Sequence, residues 1–209
     1  MEPPFKTYEF SDGRTLELHH DKYPESPRSW DNLGTMVCHH GSYCLGDKQD
    51  GHGYFYEDFN GWDALETQIQ EDNPDCVILP LYLFDHSGIT MSTTSEQFRA
   101  CDSMAWDWGQ VGFIFVSRAK INKEYGDHGG RTDEQIEEYL CNEVKVYDQY
   151  LTGDICGFIM RDKPCETCDG PGEEMEDSGF WGFFGSDPIE NGIVDHLDEK
   201  YREELKELV

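Results

Sequence analysis

Residues 75–94 read DCVILPLYLFDHSGITMSTT, and residues 110–117 read QVGFIFVS. Val77–Phe84 and Val111–Val116 mix β-branched, aliphatic and aromatic side chains over lengths that suit strands rather than helices. Pro80 has no backbone donor, so its strand belongs at a sheet edge or beside a bulge. Gly88–Thr94 continues as a second short strand after a turn at Asp85–Gly88. Between the two apolar runs lies a polar connection with an acid, an imidazole, hydroxyls and the indoles of Trp106 and Trp108. A sheet built on these runs would hold those polar groups where the chain leaves its core.

Working outward, Lys6–Glu9 and Thr15–His19 read as strands around the Ser11-Asp12-Gly13 turn. Tyr23–Trp30 is a proline- and serine-rich connection. Trp62–Gln70 is a short helix with Trp62, Leu65 and Ile69 on one face. Thr132–Tyr150 is a longer one, its apolar face formed by Ile136, Leu140, Val144 and Tyr147. Thr132 and Gln135 have capping-box spacing at its start. Ile155–Met160 and Ser178–Gly185 form an antiparallel pair, and a last helix runs from about Pro188 to Leu208. The expectation is an α+β fold, an antiparallel or mixed sheet packed by two longer helices and one short helix. It forms a single acidic domain over residues 1–209, with a polar loop excursion at about 163–177.

Forty-four acids against sixteen bases give a net charge of −28. Such a surface repels nucleic acid and anionic membranes and attracts basic protein surfaces or cations. Direct nucleic-acid binding and membrane association are therefore not expected. No apolar run reaches transmembrane length, and MEPPFKTYEF lacks the basic and apolar regions of a secretory signal, so the expected location is the cytoplasm. Residues 133–209 carry 22 acids and six bases. Glu137, Glu138, Asp148, Glu190, Asp198, Glu199 and Glu203 are the candidates for an acidic partner surface, because helices hold side chains in fixed rows.

Two other readings come from local clusters. Asp85, His86, Asp107 and Asp148 have the residue types of acid–base catalysis, and Ser87, Trp106, Gln110 and Gln149 would complete a ligand pocket. Ser87 lacks the surrounding elbow pattern of a hydrolase nucleophile. Eight cysteines supply the other cluster. Cys165-x-x-Cys168 is the pattern of a redox dithiol or of half a metal site; in the second case Cys38 and Cys44 would complete four thiolates for zinc. The spacing C-H-H-G-S-Y-C from Cys38 to Cys44 is not a familiar zinc pattern, and reduced thiols with no cofactor are the default. Neither a phosphate-cradling loop nor a dinucleotide fingerprint is present.

At LFDHSGITMSTT (83–94), WDWGQVGFIFVS (106–117), VKVYDQYLTGDICGF (144–158) and WGFFG (181–185), the chain resembles an uncharacterised family encoded by phages, plasmids and other mobile elements. The family has no established activity to transfer, and the first forty residues and the CxxC excursion resemble it less. The resemblance implies a mobile-element context. Joined with the charge, it makes the leading expectation an acidic protein-binding module, a DNA-mimicking inhibitor of a basic or DNA-binding host protein active in defence or DNA processing. The alternatives are a small enzyme or ligand-binding protein with the polar pocket, and a zinc-containing structural or regulatory protein.

Overall fold

Sequences that are apolar at every strand position need cover on both faces of their sheet, and that requirement organises the larger part of this molecule. The structure, a computed structural model, describes residues 2–126, 131–164, 172–175 and 178–209; the side chains of residues 49 and 50 are not among the described groups. The strands are β1 (Lys6–Glu9), β2 (Thr15–His20), β3 (Thr35–Cys38), β4 (Val77–Asp85), β5 (Ile89–Ser92), β6 (Trp108–Val116), β7 (Ile155–Arg161) and β8 (Phe180–Phe184). The helices are α1 (Gln49–His52), α2 (Trp62–Asp72), α3 (Glu96–Cys101), α4 (Arg118–Tyr125), α5 (Asp133–Thr152) and α6 (Glu199–Leu208). The fold is α+β, with two antiparallel four-stranded sheets. The chain divides into two compact units: Met1–Glu25 with Gly153–Val209, and Ser26–Thr152. No helix among the described residues is long and apolar enough to cross a membrane.

In the second unit the strand order is β3-β6-β4-β5. The α5 face of Ile136, Leu140, Val144 and Tyr147 packs with Met36, Leu81, Met91, Ile114 and Val116. Leu65 and Ile69 of α2 pack with Val37, Phe113 and Phe115 in a separate cluster. Alternate β6 residues thus enter different cores, so both faces of the central strands are covered. Pro80 sits opposite Phe113, whereas β5 joins β4 only from Tyr82 onward, so the proline lies where β4 has one neighbour. Its missing donor leaves no gap in the ladder there. The register shifts at Leu81/Tyr82, from Leu81↔Gly112 to Tyr82↔Gln110, which makes Val111 the extra residue of a bulge. A bulge re-aims side chains, and this one turns Val111 into the α5 core.

The expected capping box opens α5: the Thr132 N–H donates to Gln135 Oε1 at 3.1 Å, and the Gln135 N–H donates to Thr132 Oγ1 at 3.4 Å. β3, α1, α3 and α4 were not anticipated. Arg118, Lys120 and Lys123 lie on α4, whose start is capped by the Ser117 hydroxyl accepting from the Lys120 N–H.

In the first unit the order is β1-β2-β7-β8. Leu16, Leu18, Cys156, Phe158 and Met160 line the sheet face that packs with Ile193, Leu197, Tyr201 and Leu205. The single terminal helix expected from Pro188 is corrected. A turn over 188–191, held by Asp187 Oδ1 accepting from the Ile189 and Glu190 N–H groups, is followed by a 3-10 turn at Ile193–His196 and then α6. Gly192 is left-handed at φ +87°, a conformation that interrupts an α-helix and that glycine adopts at little steric cost.

Candidate functional site

A cavity of about 910 Å³ lies in the second unit. Its wall is the Cys38–Lys48 segment that leaves β3, faced by Tyr56, by Trp62 at the start of α2, and by Gln110 and Val111 at the bulge. That segment is polar and glycine-rich, so it needs external anchors. Arg28 supplies them from a 3-10 turn in the proline-rich connection. Its Nε and Nη2 donate to Asp47 Oδ1 and Oδ2 at 2.8 and 3.0 Å, and its Nη1 donates to Glu143 Oε2 on α5 at 3.0 Å. The Arg28 side chain is 5% exposed. Both carboxylates also hold backbone: Asp47 accepts from the Met36 N–H, and Glu143 from the Leu33 and Gly34 N–H groups. The Tyr147 hydroxyl accepts from the Gly46 N–H at 3.0 Å. One guanidinium thus ties the cavity wall to the helix that covers the sheet.

His39 lines the cavity. It stacks with Trp62 (centroids 6.4 Å, 15°) and tilts against Tyr56 (5.5 Å, 53°). His52, on α1, accepts from the Tyr54 N–H at Nδ1, 3.0 Å, so its neutral ring carries the proton on Nε2. The Nε2 atoms of His39 and His52 are both buried without a hydrogen-bond partner. Burial lowers the pKa of His39, and His52 lowers it further; burial also lowers that of His52. Both rings are therefore held neutral in the fold while the unfolded chain protonates near 6.5. Between 6.5 and the depressed folded values the unfolded state binds more protons, so stability falls as pH falls. Thermal melts from pH 8 to 5 should show the melting temperature dropping below pH 6.5, and a His39→Gln/His52→Gln double variant should lose part of that slope. An unchanged slope in the variant would rule the pair out as its source.

The residues singled out from sequence come together in part. Asp85 ends β4, and its Oδ1 accepts from the Tyr43 hydroxyl at 3.1 Å. Tyr43 is a cavity residue, and this hydrogen bond raises its pKa. The Asp85 N–H donates to the Asp107 carbonyl, and His86 Nδ1 lies 2.9 Å from Asp107 Oδ2. The His86 and Asp107 side chains are 65% and 40% exposed. Water screens such a pair, so it is a solvated rim contact rather than a preorganised acid–base couple. Ser87, at φ +60°, shapes the turn after β4. Gln110 lines the cavity and donates to the Gly112 carbonyl at 3.4 Å. Trp106 is 82% exposed; its N–H, with those of Met104 and Asp107, donates to the Asp102 carboxylate, and these bonds, that of Asp107 foremost, lower the Asp102 pKa. Asp148 accepts from the Met91 N–H at 2.7 Å, which fastens α5 to β5, and Gln149 follows it on α5.

Of the proposed metal ligands, Cys38 packs in the α5 core, and burial pushes its thiol up to about 12. A zinc ligand needs the thiolate, which that burial opposes. Cys44 is exposed, and Cys165 and Cys168 lie outside the described residues. Among the described residues no group of three or more His, Cys, Asp or Glu side chains is placed to hold a metal ion.

The candidate acids fare unevenly. Glu137 and Glu138 are exposed on α5, as are Glu190, Asp198 and Glu199 in the first unit. Glu203 pairs with Lys206 at 2.9 Å, and α6 carries three bases among its ten residues, so its face is mixed in sign. A stronger acidic stretch went unremarked in the sequence. Residues 49–98 contain ten acids and no lysine or arginine, and seven of those acids fall within 57–75. Glu57, Asp58, Asp63, Glu71, Asp72 and Asp75 are exposed, and none of them forms an ion pair among the described residues. A count of bases in a sliding window finds this stretch. The Arg28 clamp left no comparable signal, because its partners lie 19 and 115 residues away. No protein-family model, curated protein or solved structure matches the chain.

Proposed function

We propose that the chain is an acidic protein-binding module that engages a basic surface of its partner through α2 and the turn preceding it. The observation that carries this reading is the run of carboxylates from Glu57 to Asp75, none in an ion pair among the described residues, beside the exposed rings of Phe55 and Tyr56. Exposed carboxylates steer a basic partner to the surface, and aromatic anchors supply contact energy once it arrives. From Asp63 to Asp72, four carboxylates at 1.5 Å per residue give about one charge per 4 Å. One DNA strand carries a charge every 3.4 Å or so, and the duplex one per about 1.7 Å. Counted along its axis, the helix therefore approaches the linear charge density of one strand, with its carboxylates spread around the helix. In the mobile-element context implied by the sequence resemblance, the partner is a DNA-binding or DNA-processing protein of the host.

Affinity capture from cell lysate across a salt series tests the reading, with wild type beside an Asp63→Lys/Glu66→Lys/Glu71→Lys variant. Partner recovery should fall with salt, and the variant should recover at least about tenfold less. Recovery indifferent to both salt and the three reversals would sink it.

A second reading is favoured by the 910 Å³ cavity, whose size and mixed aromatic and polar lining suit a small ligand. Gln110→Ala separates the two, since it removes a cavity donor and leaves the α2 carboxylates intact.

A further inference from the structure

His19 is buried at 5% exposed, on the face of β2 opposite Leu16 and Leu18. Strand alternation puts Glu17 on the same face. Glu17 Oε2 accepts from Arg161 Nε at 2.7 Å and faces His19 Nε2 at 3.2 Å. A carboxylate only accepts, so His19 Nε2 carries the proton, and the ring is held by Glu17, which Arg161 of β7 orients in turn. Beside it stands Trp181 of β8, centroids 6.3 Å apart and planes inclined by 49°. One part of the indole lies on Gly157, where an added Cβ would come within 2.4 Å of Cε3. The indole is nevertheless 46% exposed. His19 and Trp181 border a cavity of about 430 Å³ whose other walls are Glu2, Pro3 and the His20–Tyr23 run, Lys22 included. His20 is itself stacked on Phe5 at 4.4 Å.

The charges around this aromatic corner favour one kind of guest. Glu2 is paired with Lys22 at 2.8 Å, and Glu17 is met by Arg161. Asp21 accepts from the Tyr23 N–H and forms no ion pair among the described residues, so it leaves one carboxylate unneutralised at the cavity. Anions are repelled by a chain of net charge −28. Aromatic faces attract a positive charge, most of all that of tryptophan, and weakly hydrated quaternary ammonium groups are the cations that aromatic pockets hold. We infer that the cavity of the first unit is a binding site for a small organic ammonium ion, with Trp181 and His19 as its walls and Asp21 as its counter-charge. This site shares no residue with α2 and does not depend on the protein-binding reading.

Choline and its neutral isostere 3,3-dimethylbutan-1-ol are the probes, titrated into the full chain and followed by saturation-transfer NMR. Choline should bind saturably and at least about tenfold more tightly than the alcohol. Trp181→Leu keeps an apolar wall and should weaken choline about tenfold; Asp21→Asn keeps the acceptor for the Tyr23 N–H and should weaken it roughly threefold. Melting curves check that each variant folds, and if Trp181→Leu does not, Asp21→Asn decides alone. Equal binding of the two probes overturns the assignment. So does the absence of saturable choline binding up to about 50 mM, or wild-type affinity in the folded variants.

Discussion

Replacing Arg28 with methionine is expected to destabilise the second unit by about 3–5 kcal/mol, the range for removing one partner of a buried ion pair. The side chain is 5% exposed, and its two acidic partners are 23% and 16% exposed, so water replaces the guanidinium only in part. Removing the guanidinium leaves two carboxylates sharing a desolvated site, each still tied to backbone N–H groups of the 33–36 segment. Those backbone bonds prevent the carboxylates from simply turning out to solvent. Urea unfolding should show a lower midpoint with little change in slope, the signature of lost stability rather than altered compactness. Arg28→Lys should recover only part of the loss. An ammonium cannot meet Asp47 in a two-point contact while also reaching Glu143 and the Gly34 carbonyl. A loss below about 1 kcal/mol for the methionine variant, the scale of an exposed pair, would show that the clamp is not what holds the cavity wall.

Gly112→Ala should be more damaging still, at about 4 kcal/mol or more. Gly112 lies opposite Cys38 of β3 and Leu81 of β4, next to the bulged Val111. An added Cβ would stand 1.9 Å from the Val37 carbonyl oxygen, and the residue has φ +155°, which side-chain-bearing residues rarely adopt. The obstacle is backbone, so no rotamer change relieves it; β3 must separate from β6, and Cys38 and Val111 then leave their places in the cavity wall. Gly109→Ala on the same strand is the control, because a Cβ there meets nothing within 4 Å. Circular dichroism and amide NMR spectra should show a native-like Gly109 variant and a disrupted Gly112 variant. Equal behaviour of the two would mean that β3 and β6 have slack the close approach does not suggest.

Much of the secondary structure was legible because its causes are local. Periodicity of two in Thr15–His19, the 3.6 period of α5 and the reciprocal Thr132–Gln135 cap each depend on residues a few positions apart. The errors have local causes as well: Asn191-Gly192 outweighed the apolar period running from Ile189 to Leu205, and the short β3 was hidden in a segment read for its cysteines and histidines. The site was less legible. Asp85, His86 and Asp107 do meet, but at a solvated rim. Asp148 carries the right chemistry for catalysis and spends an oxygen on the Met91 N–H. Nothing in a residue's own neighbourhood tells whether its carboxylate will hold a proton, a backbone or a partner.

By itself the sequence determined the α+β class, the strands about Val77–Phe84 and Val111–Val116, the long helix and the negative charge, since backbone preference, apolar period and ionisation are properties of short stretches. Only the tertiary structure decided that β2 pairs with β7, Leu18 opposite Phe158, so that segments from the chain's two ends form one sheet. It alone decided that Arg28 meets Glu143 and that Glu17, His19 and Arg161 share a sheet face with Trp181 beside them. Each of these pairings closes a loop of more than a hundred residues. The free energy that selects it comes from burial of whole sheet faces, a quantity that no window of sequence contains.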